Sequence, residues 1–228
     1  WFKSFNDQDV HAWYYSPINS SIQPPPLLVQ SHSGPTGMAH CGLDMEIQFW
    51  TSRGWGVLDV NYGGSSGFGR EYRDRLKGNW GVTDVMDCIK AVETLIKAGK
   101  ANEHLIATTG SSASGFTSLG CLFASNIFKV AACKYALTDL ICMSNSTHRF
   151  EEFYLDHLIG NIQTDYEKYV QRSPIKNVNF INSPLILFHG LKDKVILSDQ
   201  SIAIKDQLIK REIPVEIYLF KNEGHGFK

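Results

Sequence analysis

The sequence predicts an α/β fold, a mainly parallel sheet with helices on both faces, and three observations predict it. Short apolar runs alternate along the chain with stretches of helical spacing. The runs are nearly continuous rather than alternating, as in strands buried on both sides. The run Leu105–Ala107 passes through Thr108 and Thr109 into Gly110-Ser111-Ser112-Ala113-Ser114-Gly115, a sharp turn of small residues that opens a helix.

Taken in order, Val10–Tyr15 is β-branched and aromatic and precedes Ser16-Pro17, so it reads as an early strand ending in a turn. The stiff stretch Gln23-Pro24-Pro25-Pro26 leads into a buried strand at Leu27–Val29. A loop of small residues follows, His32-Ser33-Gly34-Pro35-Thr36-Gly37, which lets the backbone approach another group closely. Leu43–Arg53 has helical spacing, with Leu43, Ile47 and Trp50 on one face and Gly54 as its stop. Trp55–Asn61 reads as the next strand. The glycine-rich loop Tyr62–Arg70 lacks the lysine and serine or threonine of a phosphate-binding loop, so no nucleotide is expected there.

A strong helix is expected from Thr83 to Lys97, with Asp84 and Asp87 complementing its dipole in a structural role. Leu105–Thr109 is a strand entering the Ser112 turn, and Phe116–Ser125 continues as helix. Val130–Tyr135 is a further strand. Thr138–Arg172 reads as helical and irregular, and its aromatics Phe150, Phe153, Tyr154, Tyr166 and Tyr169 suit either core or a substrate wall, with Phe150, Phe153 and Tyr154 as pocket candidates. Leu185–Phe188 is a buried strand running into His189-Gly190-Leu191-Lys192-Asp193. Ser198–Arg211 reads as a helix with Ile202, Leu208 and Ile209 inward, Val215–Phe220 as the final strand, and Asn222-Glu223-Gly224-His225-Gly226 as the loop beyond it.

Composition bounds the rest. At 228 residues with 43% hydrophobic and 12% aromatic residues, the chain is expected to form one domain over residues 1–228. Its 22 basic and 23 acidic residues nearly cancel, which gives no reason to expect nucleic acid. No apolar run is long enough to span a membrane. The five cysteines include no CxxC pair, which argues against a zinc ribbon and a disulfide framework. A reducing, cytoplasmic compartment is the simpler expectation, while the sequons at Asn19 and Asn145 keep an extracellular one open. The chain starts at Trp1 without a signal peptide and stops just after a Gly-His-Gly loop, so both ends are expected to be cut from something longer.

The chemistry gathers where parallel strands end. Ser112, Asp193 and His225 each follow a strand, in the serine, acid, histidine order of α/β-hydrolases. A serine hydroxyl needs exposure and a base, which the sharp turn and His225 would supply. Asp193 would hold the imidazole's tautomer and stabilise its cation. The backbone N–H of Ala113 would be one oxyanion donor, and the His32, Ser33 and Gly34 loop the source of a second. His32, His40 and Cys41 are too loosely spaced for a metal, and no HExxH motif occurs.

The stretches HSGPTG (His32–Gly37), SRGWGVLDVNYGGSSGFGREYRD (Ser52–Asp74), NWGVTDVMDC (Asn79–Cys88), GSSASGFTSL (Gly110–Leu119), HGLKDKVI (His189–Ile196) and NEGHGFK (Asn222–Lys228) resemble the catalytic domain of the prolyl oligopeptidase family, near its dipeptidyl-peptidase and acylaminoacyl-peptidase branch. The resemblance implies an α/β-hydrolase fold and a serine-type peptidase acting on short peptides through an acyl-enzyme. Ser112 is then nucleophile, Asp193 acid and His225 base, with neither metal nor organic cofactor. It also implies a β-propeller in the longer parent, absent from this chain, and allows a homo-oligomer. Ser33 and Ser114 replace usual glycines and Gly63 a common arginine. The alternatives are a carboxylesterase-like hydrolase of small esters on the same fold, or a catalytically weakened relative serving as a binding module.

Overall fold

In the computed structural model, residues 1–146 and 153–227 are described. The strands are β1 (Phe2–Lys3), β2 (Asp9–Tyr15), β3 (Leu27–Ser31), β4 (Gly56–Asn61), β5 (Ile106–Ser111), β6 (Val130–Lys134), β7 (Leu185–Gly190) and β8 (Val215–Phe220). They form one eight-stranded sheet in the order β1-β2-β4-β3-β5-β6-β7-β8. The pairs β1–β2 and β2–β4 are antiparallel, and every later pair is parallel. The strands expected from the apolar runs are all present. Only β1 and the antiparallel sense of β2 were not legible in them.

The strand order creates the site. Strand β3 lies between β4 and β5, so the chain leaves β3 toward one edge and returns past it to β5. A crevice opens at the carboxyl ends on either side of such a reversal. The ladder between β3 and β5 runs from Leu27–Ile106 to Val29–Thr108 and stops there. Beyond it the His32 loop and the Ser112 turn face one another across the gap.

Side-chain alternation along the strands builds two cores. Leu27 and Val29 pack with α3 (Thr83–Lys97) and α4 (Ala113–Ala124) in the main core. Leu28 points the other way, to Ile47, Val57 and Ala107 under α1 (Met45–Thr51). Helix α4 is buried from Ala113 through Leu122, and its Ser114, Thr117 and Ser118 hydroxyls are hydrogen-bonded inside the fold. Asp84 and Asp87 of α3 are indeed structural. Asp84 accepts hydrogen bonds from Gly81 N–H and Thr117 Oγ1, both at 2.6 Å, while Asp87 accepts from Gly63 N–H at 2.7 Å and from the Ser4 hydroxyl. Burial raises both carboxyls to about 6.

Several expectations are corrected. Leu43 is 83% exposed and lies before α1, because Asp44 caps that helix, accepting from Glu46 N–H at 2.8 Å and Ile47 N–H at 3.2 Å. The residues between the glycine-rich loop and α3 include a short helix, α2 (Arg70–Asp74), that periodicity did not show. Helix α4 starts at Ala113, directly after the serine. In α8 (Asp199–Lys210), Ile204 and Leu208 face the core and Ile209 is 52% exposed. Helices lie on both faces of the sheet as expected, α1 covering the second face over Leu28, Val57 and Ala107. Tyr218, Leu219 and Phe220 of β8, the strand at the sheet's edge, stay partly exposed. The Thr138–Arg172 region holds α5 (Leu140–Ser146), α6 (Tyr154–Leu158) and α7 (Tyr166–Arg172). Tyr169 there is core, and Tyr166 is exposed. None of the described helices is long and apolar enough to cross a membrane.

Candidate active site

Strand β5 ends at Ser111 and α4 begins at Ala113, so Ser112 alone makes the turn. Its backbone is forced to φ 52° and ψ −119°, a costly conformation for a residue with a Cβ. The turn is closed by small neighbours. A Cβ on Gly110 would overlap the Ser114 carbonyl, and one on Gly115 would lie 2.6 Å from Ala136 Cβ. Ser114 meets no such obstacle. It is 2% exposed, accepts from Ser111 N–H at 2.8 Å and donates to the Ser111 carbonyl at 2.9 Å. Position 115 is where glycine is required, and the serine at 114 fastens the turn.

The turn aims Ser112 Oγ at His225 Nε2, 3.0 Å away, and His225 Nδ1 lies 2.8 Å from Asp193 Oδ2. A carboxylate can only accept, so Nδ1 carries the proton and Nε2 presents its lone pair to the serine. Asp193 is buried, and its Oδ1 accepts from Val195 N–H at 2.8 Å and Ile196 N–H at 3.0 Å. His189 adds support from below. Its Nε2 donates to the Ile196 carbonyl at 2.8 Å and also lies 3.3 Å from Asp193 Oδ2, while Nδ1 accepts from Ser201 Oγ at 2.8 Å. His189 had no expected role beyond following a strand. Its position four residues before the aspartate was the available signal.

One further side chain packs on His225. Tyr135, at φ 38° just past β6, sets its ring 4.7 Å from the imidazole and 5.1 Å from Phe227, and Phe227 in turn packs 5.1 Å from Phe220. The histidine loop is thus clasped by aromatic rings on both flanks.

The Ala113 N–H is the first of α4 and so has no carbonyl within the helix to bond. Gly34, at φ 76°, lines the same pocket from across the crevice. Ser33 is exposed and donates its hydroxyl to the Ser111 carbonyl at 3.1 Å. His32 turns away from the pocket. Its Nδ1 donates to the Gly34 carbonyl at 3.0 Å, its Nε2 accepts from Ser65 Oγ at 2.7 Å, and its ring lies 4.5 Å from Tyr62. Burial lowers its pKa to about 4, so it is neutral. With both nitrogens engaged, His32 shapes the loop from behind and leaves the crevice to the backbone.

Beside Ser112 lies a pocket of about 520 Å³ lined by Gly34, Pro35, Trp80, Leu137, Met143, Tyr154, Val195 and Ile196, among others. Of the three aromatics expected to form it, Tyr154 does so, with its hydroxyl 3.3 Å from Thr36 Oγ1. Phe153 does not. It precedes α6 and points outward, 74% exposed. Phe150 lies outside the described residues. The remaining walls come from four distant segments, which periodicity cannot bring together.

A mainly parallel sheet with a serine on a strained strand-to-helix turn, an aspartate after a later strand and a histidine after the last one is an α/β-hydrolase. Residues 41–228 match the model of the prolyl oligopeptidase family, and the chain belongs to that family of serine peptidases. Among curated proteins it is similar to dipeptidyl aminopeptidase BIII of Pseudoxanthomonas mexicana, 29% identical over 90% of this chain and 30% of that protein. It is also similar to the acylamino-acid-releasing enzyme of Arabidopsis thaliana, 27% identical over 88% of this chain and 27% of that protein. Among solved structures, a Mycobacterium tuberculosis puromycin-hydrolyzing peptidase superposes with a TM-score of 0.95 at 38% identity, over 99% of this chain and 35% of that one. Pyrococcus horikoshii acylaminoacyl peptidase gives a TM-score of 0.90 at 26% identity, over 99% and 36%. The chain therefore spans about a third of the length of the proteins it resembles.

Proposed function

We propose that these residues are the catalytic domain of a longer serine peptidase that cleaves peptides after an apolar residue, through an acyl-enzyme on Ser112. The observation that carries this reading is the hydrogen-bonded series Ser112 Oγ, His225, Asp193 at the mouth of an apolar pocket. Relatives named as peptidases support a peptide as substrate.

In this reading His225 Nε2 takes the Ser112 hydroxyl proton as Oγ attacks the scissile carbonyl carbon. Ionised Asp193 stabilises the imidazolium. The oxyanion is met by the Ala113 N–H and a backbone N–H of the Ser33–Gly34 segment. As the C–N bond breaks, Nε2 returns the proton to the leaving amine, which departs, leaving an ester on Ser112. A water then repeats the sequence, giving its proton to Nε2 and its oxygen to the acyl carbon, and the ester breaks as the proton returns to Oγ. The buried carboxylate needs no proton of its own at any step.

A fluorophosphonate probe tests this directly. The protein takes the label on Ser112, and Ser112→Ala abolishes both labelling and turnover, the latter by on the order of 10⁴-fold or more. Label that persists in that variant overturns the assignment. An aminoacyl p-nitroanilide and a p-nitrophenyl ester, assayed side by side, separate a peptidase from an esterase: turnover of the ester alone would make it the latter.

A further inference from the structure

We propose that Ser33 is a positioning residue whose hydroxyl tethers the loop after β3 to the Ser112 turn and so fixes the oxyanion-binding space between them. The inference rests on the serine-peptidase reading above.

Three hydrogen bonds meet at Ser111. Ser33 Oγ donates to its carbonyl at 3.1 Å, Ser114 Oγ donates to the same oxygen at 2.9 Å, and Ser111 N–H donates back to Ser114 Oγ at 2.8 Å. A carbonyl oxygen has two lone pairs, so both hydroxyls are accommodated at once. Ser111 immediately precedes the nucleophile, and Ser33 immediately precedes Gly34 in the pocket wall. The tether therefore joins the two segments that supply oxyanion donors.

Most other anchors of the loop lie on its far side, and Thr36 Oγ1 also meets Tyr154 OH at 3.3 Å. The Pro35 carbonyl accepts from Tyr62 OH at 3.0 Å, the Thr36 carbonyl from Ser66 Oγ at 2.6 Å, and the Gly37 carbonyl from Ser66 N–H at 2.8 Å. These bonds hold the loop to the segment after β4. Backbone pairing between β3 and β5 has already ended at Val29–Thr108. Among the described residues, no other hydrogen bond connects 32–37 with 110–115. Without the Ser33 hydroxyl no hydrogen bond among the described residues would hold the loop to the Ser112 turn, and an oxyanion hole works through donors held in place before charge develops. The two serines that stand at usual glycine positions thus act together on one carbonyl. They are parts of the site, and they do not mark its decay.

The test compares wild type, Ser33→Ala, Ser33→Gly and Ser33→Thr in the full-length protein, by fluorophosphonate labelling rate and by kcat and KM on a leucyl or phenylalanyl p-nitroanilide. One neutral hydrogen bond of ordinary strength predicts a fall in kcat of about 3- to 10-fold for Ser33→Ala and Ser33→Gly, with KM and the thermal midpoint unchanged. Labelling slows in the same proportion, and Ser33→Thr, which keeps the hydroxyl, restores both. A wild type labelled at Ser112 whose Ser33→Ala and Ser33→Gly variants react at its rate overturns the tether alone, as does a loss expressed only in KM. A wild type that takes no label overturns the peptidase reading and the tether with it.

Discussion

Gly190 and Glu223 are in such close contact that a single methyl on Gly190 would overlap the Glu223 carbonyl. Gly190 ends β7 opposite Phe220 of β8, and the two loops beyond interlock: Leu191 N–H donates to the Phe220 carbonyl at 2.9 Å and Lys192 N–H to the Glu223 carbonyl at 2.8 Å. The glycine therefore sets the spacing between the loop of Asp193 and the loop of His225. Gly190→Ala must push the histidine loop outward by a good fraction of an ångström. A displacement of that size at a reacting group costs on the order of 10²-fold in kcat/KM, which anilide kinetics would detect. Circular dichroism should stay native, since the shift is confined to the loops.

Tyr135 controls the plane of the imidazole rather than its position along the chain. Its positive φ is strain that the ring packing against His225 and Phe227 must offset. Tyr135→Leu frees the ring and should lower kcat by about 10-fold, with KM little changed, because only the approach of Nε2 to Ser112 is affected. Tyr135→Phe keeps the aromatic contact and should retain wild-type kcat; equal loss in both variants would assign the effect to the hydroxyl instead.

The strands and the three polar residues were legible because each answers to a local rule. A strand buried on both faces must be a continuous apolar run, and a nucleophilic turn must be built of small residues. What was not legible depends on residues distant in sequence. That glycine is needed at 115 and serine is welcome at 114 is decided by Ala136, which follows β6, and by the Ser111 backbone. Trp80, just ahead of the Thr83–Lys97 helix, is pocket wall, and Arg172, far along the chain, donates to the Gly78 and Trp80 carbonyls at 3.0 and 2.9 Å. His32 was expected in the loop across the crevice from Ser112, and that loop does lie there. Its side chain's inward turn follows from Ser65, which no spacing rule connects to it.

The pH dependence of stability is set by opposing buried groups. His32, lowered by burial from 6.5 to about 4, binds fewer protons folded than unfolded between those values. Its contribution is fully present above pH 6.5 and is lost as pH falls toward 4, by about 3 kcal/mol at most. Asp59, Asp84 and Asp87, raised from 3.8 to about 6, bind more protons folded than unfolded in that window, so their contribution declines as pH rises through it. Urea melts of wild type and His32→Gln isolate the histidine: the difference between them should grow with pH from 4 to 6.5 and be flat above. A difference independent of pH would mean that His32 has the same pKa folded and unfolded, and one that shrinks as pH rises would mean that it is protonated in the fold.

The pocket beside Ser112 makes the last prediction. Among the described residues its wall, with Pro35, Trp80, Leu137, Met143, Val195 and Ile196, carries no acidic or basic side chain besides His225. A leucine or phenylalanine side chain entering it exchanges water for apolar contacts, worth about 1.5–3 kcal/mol on full burial. A lysine or aspartate there would lose its hydration and gain no counter-charge, a penalty of several kcal/mol unless it stayed outside. Leucyl and phenylalanyl anilides should therefore exceed lysyl and aspartyl ones by on the order of 10²-fold or more in kcat/KM. The polar rim sharpens the test. Tyr154→Phe removes the hydroxyl that meets Thr36 Oγ1 but keeps the ring, so the order of preference should survive it. Trp80→Ala, which opens the wall, should erode the preference mainly through KM. Comparable rates on the charged and apolar anilides in wild type would show that the acyl side chain does not enter this pocket at all.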